Sequence, residues 1–134
     1  LKLTDKVVFH GFCGNTELYY EKADIVCVCS KAEAFGRVTI EGMLSGALVV
    51  GAACGATEEL IKNNETGLLY EYENEKDLAN KIKWVVDNKE TAQSIAKRGC
   101  AYAKENMTAT INALNIYSLY QEVMEKKENE NKNW

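Results

Sequence analysis

Ile25-Val26-Cys27-Val28-Cys29-Ser30-Lys31-Ala32-Glu33-Ala34-Phe35-Gly36-Arg37-Val38-Thr39-Ile40-Glu41-Gly42-Met43-Leu44-Ser45-Gly46-Ala47-Leu48-Val49-Val50 is the stretch on which the reading of this chain turns. Its first five residues are apolar throughout and rich in β-branched side chains. A strand apolar on both faces is what a parallel sheet covered by helices demands. After a turn at Gly36, residues 37–45 read as a helix. Ile40, Met43, Leu44 and Ala47 recur at the i, i+3, i+4, i+7 spacing of a buried stripe, and Gly46 is a natural stop. Leu48-Val49-Val50 is then a second buried strand. Strand, crossover helix and strand in this order specify an α/β fold with a parallel sheet.

The same alternation extends outward. Val7-Val8-Phe9 reads as a short strand, and 15–22 as a helix with Asn15 or Thr16 as its cap. Thr57 is expected to cap a short helix carrying Glu58 and Glu59 in its first turn, with Leu60 and Ile61 facing inward. Residues 63–67 form a turn before the strand Leu68-Leu69-Tyr70. Three helices follow: 75–86 with Leu78, Ile82, Val85 and Val86 as its apolar positions, 89–106 with an interruption near Gly99, and 108–126. The apolar residues of the last helix read as core or interdomain surface. One Rossmann-like domain over 1–127 and a disordered polar tail over 128–134 are expected.

Bulk properties exclude several classes. A chain of 134 residues supports one core. Its net charge of −4, with no basic cluster, argues against nucleic-acid binding. No apolar run approaches the roughly 20 residues needed to cross a bilayer, and no signal peptide is visible, which points to the cytoplasm. The five cysteines (Cys13, Cys27, Cys29, Cys54, Cys100) are odd in number and lack CxxC spacing, so neither a metal site nor a disulfide framework is expected. Cys27 and Cys29 read as small buried hydrophobes.

The chemistry concentrates between Ser30 and Gly46. Ligands of open α/β sheets bind beyond the carboxyl ends of the strands. A helix starting there presents unpaired N–H groups and positive dipole character to a phosphate. Gly36 lets the backbone come close to such a group. Glu33 in the loop and Glu41 inside the helix frame the turn, and a carboxylate can accept hydrogen bonds from vicinal hydroxyls. Singly, Glu33 reads as a solvated loop residue, Glu41 as a helix-face charge and Gly36 as a turn. Their joint order after a buried strand points to a site.

Glu33-Ala34-Phe35-Gly36-Arg37-Val38-Thr39-Ile40-Glu41 resembles the E-x7-E signature of retaining glycosyltransferases of the glycosyl transferase group 1 (GT4) family. Five further blocks resemble that family in the right order. They are Val7 to Gly11, Tyr19 to Ile25, Gly46 to Val50 (with Leu48 where the family has proline), Gly55 to Ile61, and Asn64 to Leu69.

The resemblance implies the Rossmann-like C-terminal domain of the GT-B architecture. It implies that Glu33 is catalytic and contacts the donor sugar, and that Glu41 holds the ribose. Phe35, Gly36 and Arg37 would lie at the diphosphate, and His10, Gly11 and Phe12 near the nucleobase. It implies a UDP- or GDP-sugar donor, no metal ion, transfer of a hexose-type sugar to a glycan or lipid-linked acceptor in polysaccharide assembly, and work at the membrane periphery through a full-length protein. A nucleotide-sugar epimerase or phosphorylase and a non-catalytic binding module are the rival readings.

The chain has no initial Met and lacks the strand and helix units that open the family's domain. An N-terminally truncated domain is therefore expected, inactive without its N-terminal acceptor partner. An uncovered sheet edge favours self-association. Sedimentation velocity is expected to show a concentration-dependent species larger than the monomer, and a single monomer boundary at every concentration would count against it.

Overall fold

The computed structural model describes residues 3–31 and 33–131. The elements, in chain order, are α1 (Glu17–Tyr20), β1 (Ile25–Val28), α2 (Arg37–Ser45), β2 (Leu48–Ala52), α3 (Gly55–Leu60), β3 (Leu68–Tyr70), α4 (Glu75–Asp87), α5 (Lys89–Asn106) and α6 (Ala109–Asn131). The strands form a parallel sheet of order β1-β2-β3, with Val26 beside Val49 and Val50 beside Leu68. The expected α/β class and the strands at 25–29, 48–50 and 68–70 are present in this sheet.

Helices cover both faces. On one, Leu48, Val50, Leu68 and Tyr70 pack with Val85 of α4 and with Ala92, Ile95 and Ala96 of α5. On the other, Val26, Val28 and Val49 pack with Met43 of α2, Ala47, Ile61 and Ala103 of α5. α5 therefore contributes to both clusters. All five residues of the central strand β2 are buried, as its continuous apolar run requires.

α2 lies against the sheet because Gly42 faces it. A Cβ there would come within 3.0 Å of Val49 and 3.2 Å of Val26. α2 ends at Gly46, whose φ of 86° is left-handed. Two buried hydroxyls, Thr39 Oγ1 and Thr57 Oγ1, lie 3.3 Å apart and join α2 to α3.

Several expectations are corrected. Residues 7–9 form no strand: Val8 is 73% and Phe9 93% exposed, and no partner strand pairs with them among the described residues. A strand without a paired neighbour leaves its backbone groups unsatisfied. The helix expected over 15–22 shrinks to the four residues of α1, of which only Tyr20 packs on the core and none is fully buried. Short helices with so little packing do not extend on their own. Cys27 and Cys29 are exposed. β1 is an edge strand with alternating burial, Val26 and Val28 inward, so the helices that cover β2 leave one of its faces open. Thr57 is not a cap. Cys54 precedes α3 in extended conformation, and Thr57 is buried inside the helix.

α5 runs unbroken through Gly99, where a Cβ would collide with the Thr66 carbonyl oxygen. The glycine serves close packing there. α6 exposes Leu114, Tyr117, Leu119, Tyr120 and Val123, so these are not core. Its backbone stays helical to Asn131, past the boundary expected at 127, and residues 132–134 lie outside the described residues. Among the described residues no helix is long and apolar enough to cross a membrane.

The turn at 63–67 is held to α5 by Arg98, which donates to the carbonyls of Glu65 (2.9 Å) and Asn64 (3.4 Å). Replacing Gly99 with alanine is expected to push α5 off this turn and destabilise the chain by about 1–3 kcal/mol. A urea titration of the variant checks it, and an unchanged midpoint would contradict this packing.

Candidate functional site

β1 ends at Val28, and the chain then crosses the carboxyl end of the sheet to reach α2. The crossing closes at Gly36, with φ 74° and ψ 37°. This left-handed conformation favours glycine, and packing reinforces the choice, because a Cβ here would collide with Leu60 of α3. The Glu33 carbonyl accepts from the Ala56 amide at 3.1 Å, so the loop is tied to the first turn of α3. No side chain caps α2. Its first turn closes with Ile40 N donating to Gly36 O at 3.1 Å. The N–H groups ahead of Ile40 have no partner within the helix, and they carry the positive end of its dipole.

A cleft of about 650 Å³ opens between α1 and α2, lined by Asn15, Thr16, Tyr20, Arg37, Glu41 and Ser45 among others. The Arg37 Nη2 donates to Glu41 Oε1 at 3.1 Å, with the arginine side chain 79% and the glutamate 34% exposed. An exposed i,i+4 pair of this kind contributes about 0.3–0.5 kcal/mol. A ligand can therefore displace the guanidinium from the carboxylate at small cost. Tyr20, from α1, lines the same cleft. Burial first, and then the Glu41 charge and its acceptor oxygens, push the phenol above its ordinary range, while Arg37 and Thr16 act in the opposite sense.

The residues singled out from sequence divide. Arg37 and Glu41 share the cleft wall. Gly36 opens α2 beside it, and Phe35 stands 61% exposed at the turn. Glu33 is half-buried in the loop tied to α3 and is not among the residues lining the α1–α2 cleft. His10, Gly11 and Phe12 are exposed on the segment that enters the cleft wall at Gly14. His10 is tethered there: its Nδ1 lies 3.1 Å from the Tyr19 Oη, with the rings 4.6 Å apart.

Tyr20 and Ser45 were not singled out as site residues. Adjacent tyrosines at 19 and 20 give no local signal of which one faces α2. Among the described residues no three His, Cys, Asp or Glu side chains gather closely enough to hold a metal ion. A second hollow of about 660 Å³ lies at the amino ends of β1 and β2, beside Asp24, Leu48 and Val85. It is remote from the α2 amides.

The family model of the glycosyl transferases group 1 matches residues 1–101. The D-inositol 3-phosphate glycosyltransferase of Corynebacterium aurimucosum is 30% identical over 105 residues, which are 78% of this chain and 25% of that protein. HepE of Anabaena, crystallised with UDP, superposes with a TM-score of 0.82 at 30% identity, over 89% of this chain and 33% of its own. The C-terminal domain of the group 1 family protein LpcC from Francisella tularensis superposes with a TM-score of 0.73 at 27% identity, over 80% of this chain and 56% of its own. The chain spans about a quarter to a third of the length of the first curated relatives it matches. Its fold is accordingly the Rossmann-like one of the C-terminal domain in GT-B glycosyltransferases, and the chain belongs to the glycosyl transferases group 1 family.

Proposed function

We propose that the cleft between α1 and α2 and the turn at Gly36 are the donor site of a retaining glycosyltransferase that moves a hexose-type sugar from a nucleotide diphosphate-sugar to a glycan or lipid-linked acceptor. One observation carries the reading. Left-handed Gly36 opens an uncapped helix at the carboxyl end of β1, and Glu41, one turn further, brings a carboxylate into the cleft beside it. Free amides suit a diphosphate, and a carboxylate suits the ribose diol.

In this reading Glu41 grips the ribose. The amides after Gly36, with Phe35 and Arg37 beside them, receive the diphosphate. Glu33, in the adjoining loop, serves the sugar. His10, Gly11 and Phe12 flank the base at the margin of the cleft. The helix terminus would act most strongly on the departing diphosphate, where negative charge grows as the glycosidic bond breaks. No metal is required, because the amide dipoles and Arg37 supply positive potential.

The HepE structures with UDP, and with UDP and glucose, favour uridine over guanosine for this chain. The acceptor is assigned to the remainder of a longer protein, since the relatives run three to four times the matched length. This chain by itself then binds nucleotide without transferring sugar.

An NMR titration of the chain with UDP tests the reading. Amide shifts are expected in 15–20 and 36–41, with GDP giving smaller ones. The absence of shifts with either nucleotide at millimolar concentration would defeat it. Gly36→Ala is expected to weaken UDP binding about tenfold or more, because a Cβ both strains the turn and strikes α3. Glu41→Ala is expected to cost a similar factor through the ribose. Binding unchanged by both substitutions would place the nucleotide elsewhere.

A further inference from the structure

We propose that the Arg37–Glu41 ion pair sets the specificity of the cleft. Arg37 occupies the ribose-binding carboxylate until a diphosphate draws the guanidinium away, so the cleft favours a nucleoside diphosphate and disfavours the bare nucleoside. The inference rests on the reading of this cleft as the nucleotide site.

The pair is a direct contact. Arg37 Nη2 donates to Glu41 Oε1 at 3.1 Å, and both residues line the cleft. A ribose hydroxyl that approaches Glu41 therefore meets an acceptor oxygen already engaged. The engagement is also weak, for three reasons. The guanidinium is exposed to solvent, which screens it. The base precedes the acid by four residues, the less favourable order for a helical pair. Arg37 is also the first residue of α2, whose first turn carries no acidic residue. Its charge adds to the positive end of the helix dipole instead of opposing it.

These features make Arg37 responsive to an anion. A diphosphate at the free amides after Gly36 offsets the helix terminus and the guanidinium together, and a guanidinium can bind phosphate through two parallel hydrogen bonds. Helical side chains lean toward the amino end of their helix, so an Arg37 released from Glu41 swings toward those amides. Glu41 is then left with its acceptor oxygens for the diol. The two halves of the ligand are thereby coupled: the diphosphate takes up the base and the ribose takes up the acid. A nucleoside has no anion to offer and must part the pair unaided.

The test is an NMR titration of the 134-residue chain with UDP, uridine and inorganic pyrophosphate. Arg37→Met keeps most of the side chain's length and removes its charge. It is expected to weaken UDP about fivefold, through the lost phosphate contact, and to strengthen uridine about twofold, through the freed carboxylate. The effects have opposite signs, so the preference for UDP over uridine falls about tenfold. In a Glu41→Ala background, Arg37→Met is expected to leave uridine binding unchanged. In the unaltered chain, pyrophosphate is expected to move the carboxyl carbon resonance of Glu41 toward its position in Arg37→Met.

Uridine binding that Arg37→Met weakens or leaves unchanged would reduce the arginine to a phosphate contact and overturn the proposal. So would a gain that persists in the Glu41→Ala background, uridine that neither chain binds, or pyrophosphate that binds and leaves the Glu41 resonance in place. Should the amide spectrum show Arg37→Met to be unfolded, Arg37→Leu takes its place under the same criteria. Absence of UDP binding by the unaltered chain would sink the nucleotide-site reading and this inference with it. UDP binding accompanied by any of the other contrary results would sink this inference alone.

Discussion

The close seating of α2 on the sheet is the constraint from which the rest follows. Gly42 removes the one side chain that would stand between the helix and Val26 and Val49, and Met43, 1% exposed, fills the space beside it. Because the helix lies so near, its first turn falls directly beyond the carboxyl end of β1. The crossing has the seven residues from Cys29 through Phe35 to reach it, and Gly36 completes the reversal in a conformation that other residues adopt only with strain. A helix set further off by a Cβ at position 42 would carry its amide groups and Glu41 away from the strand exit.

The second constraint ties α3 into the same arrangement. The Thr39–Thr57 hydroxyl pair satisfies two polar groups that burial would otherwise penalise. Gly36 packs on Leu60, and the Glu33 carbonyl takes the Ala56 amide. The turn is thus held from the α3 side, while Arg37, the residue that follows it, lines the cleft toward α1. Rigidity on one flank and access on the other is what a preformed ligand site requires. The charges at the open flank are weakly committed. Arg37 and Glu41 pair with each other at the surface, where such pairs contribute little, and both can be redirected to a ligand.

α5 joins the two halves of the core. Ala92, Ile95 and Ala96 pack on one face of the sheet and Ala103 on the other, with Gly99 between them passing over the Thr66 backbone. Small residues along one helix let it cross close to the turn at 63–67, and Arg98 bonds to two carbonyls of that turn. Lys62, just before it, lies over the Tyr102 ring at 4.4 Å. These contacts join elements more than thirty residues apart in sequence.

Periodicity and turn chemistry by themselves placed strands at 25–29, 48–50 and 68–70, the helix 37–45 with its glycine at each end, and helices over 75–86 and 89–106, each ending within one or two residues of its element in the structure. Each of these has a local signature: a continuous apolar run, a 3.6-residue stripe, or a glycine where the backbone turns left-handed. The order of the blocks also singled out Gly36, Arg37 and Glu41 as candidates, of which Arg37 and Glu41 share one cleft wall.

Tertiary structure alone decided the remainder, because it depends on what each segment meets. Val7-Val8-Phe9 has the composition of a strand but, among the described residues, no strand beside it. Cys27 is as apolar as its neighbours yet lies on the open face of an edge strand. Thr57 has the chemistry of a cap and is used as a buried partner of Thr39. Gly99 looks like a break and is a contact. In the cleft, only the packing of α1 on α2 selected Tyr20 over Tyr19 as a lining residue, since a residue's local pattern states which way it can face and its neighbours in space decide whether anything is there.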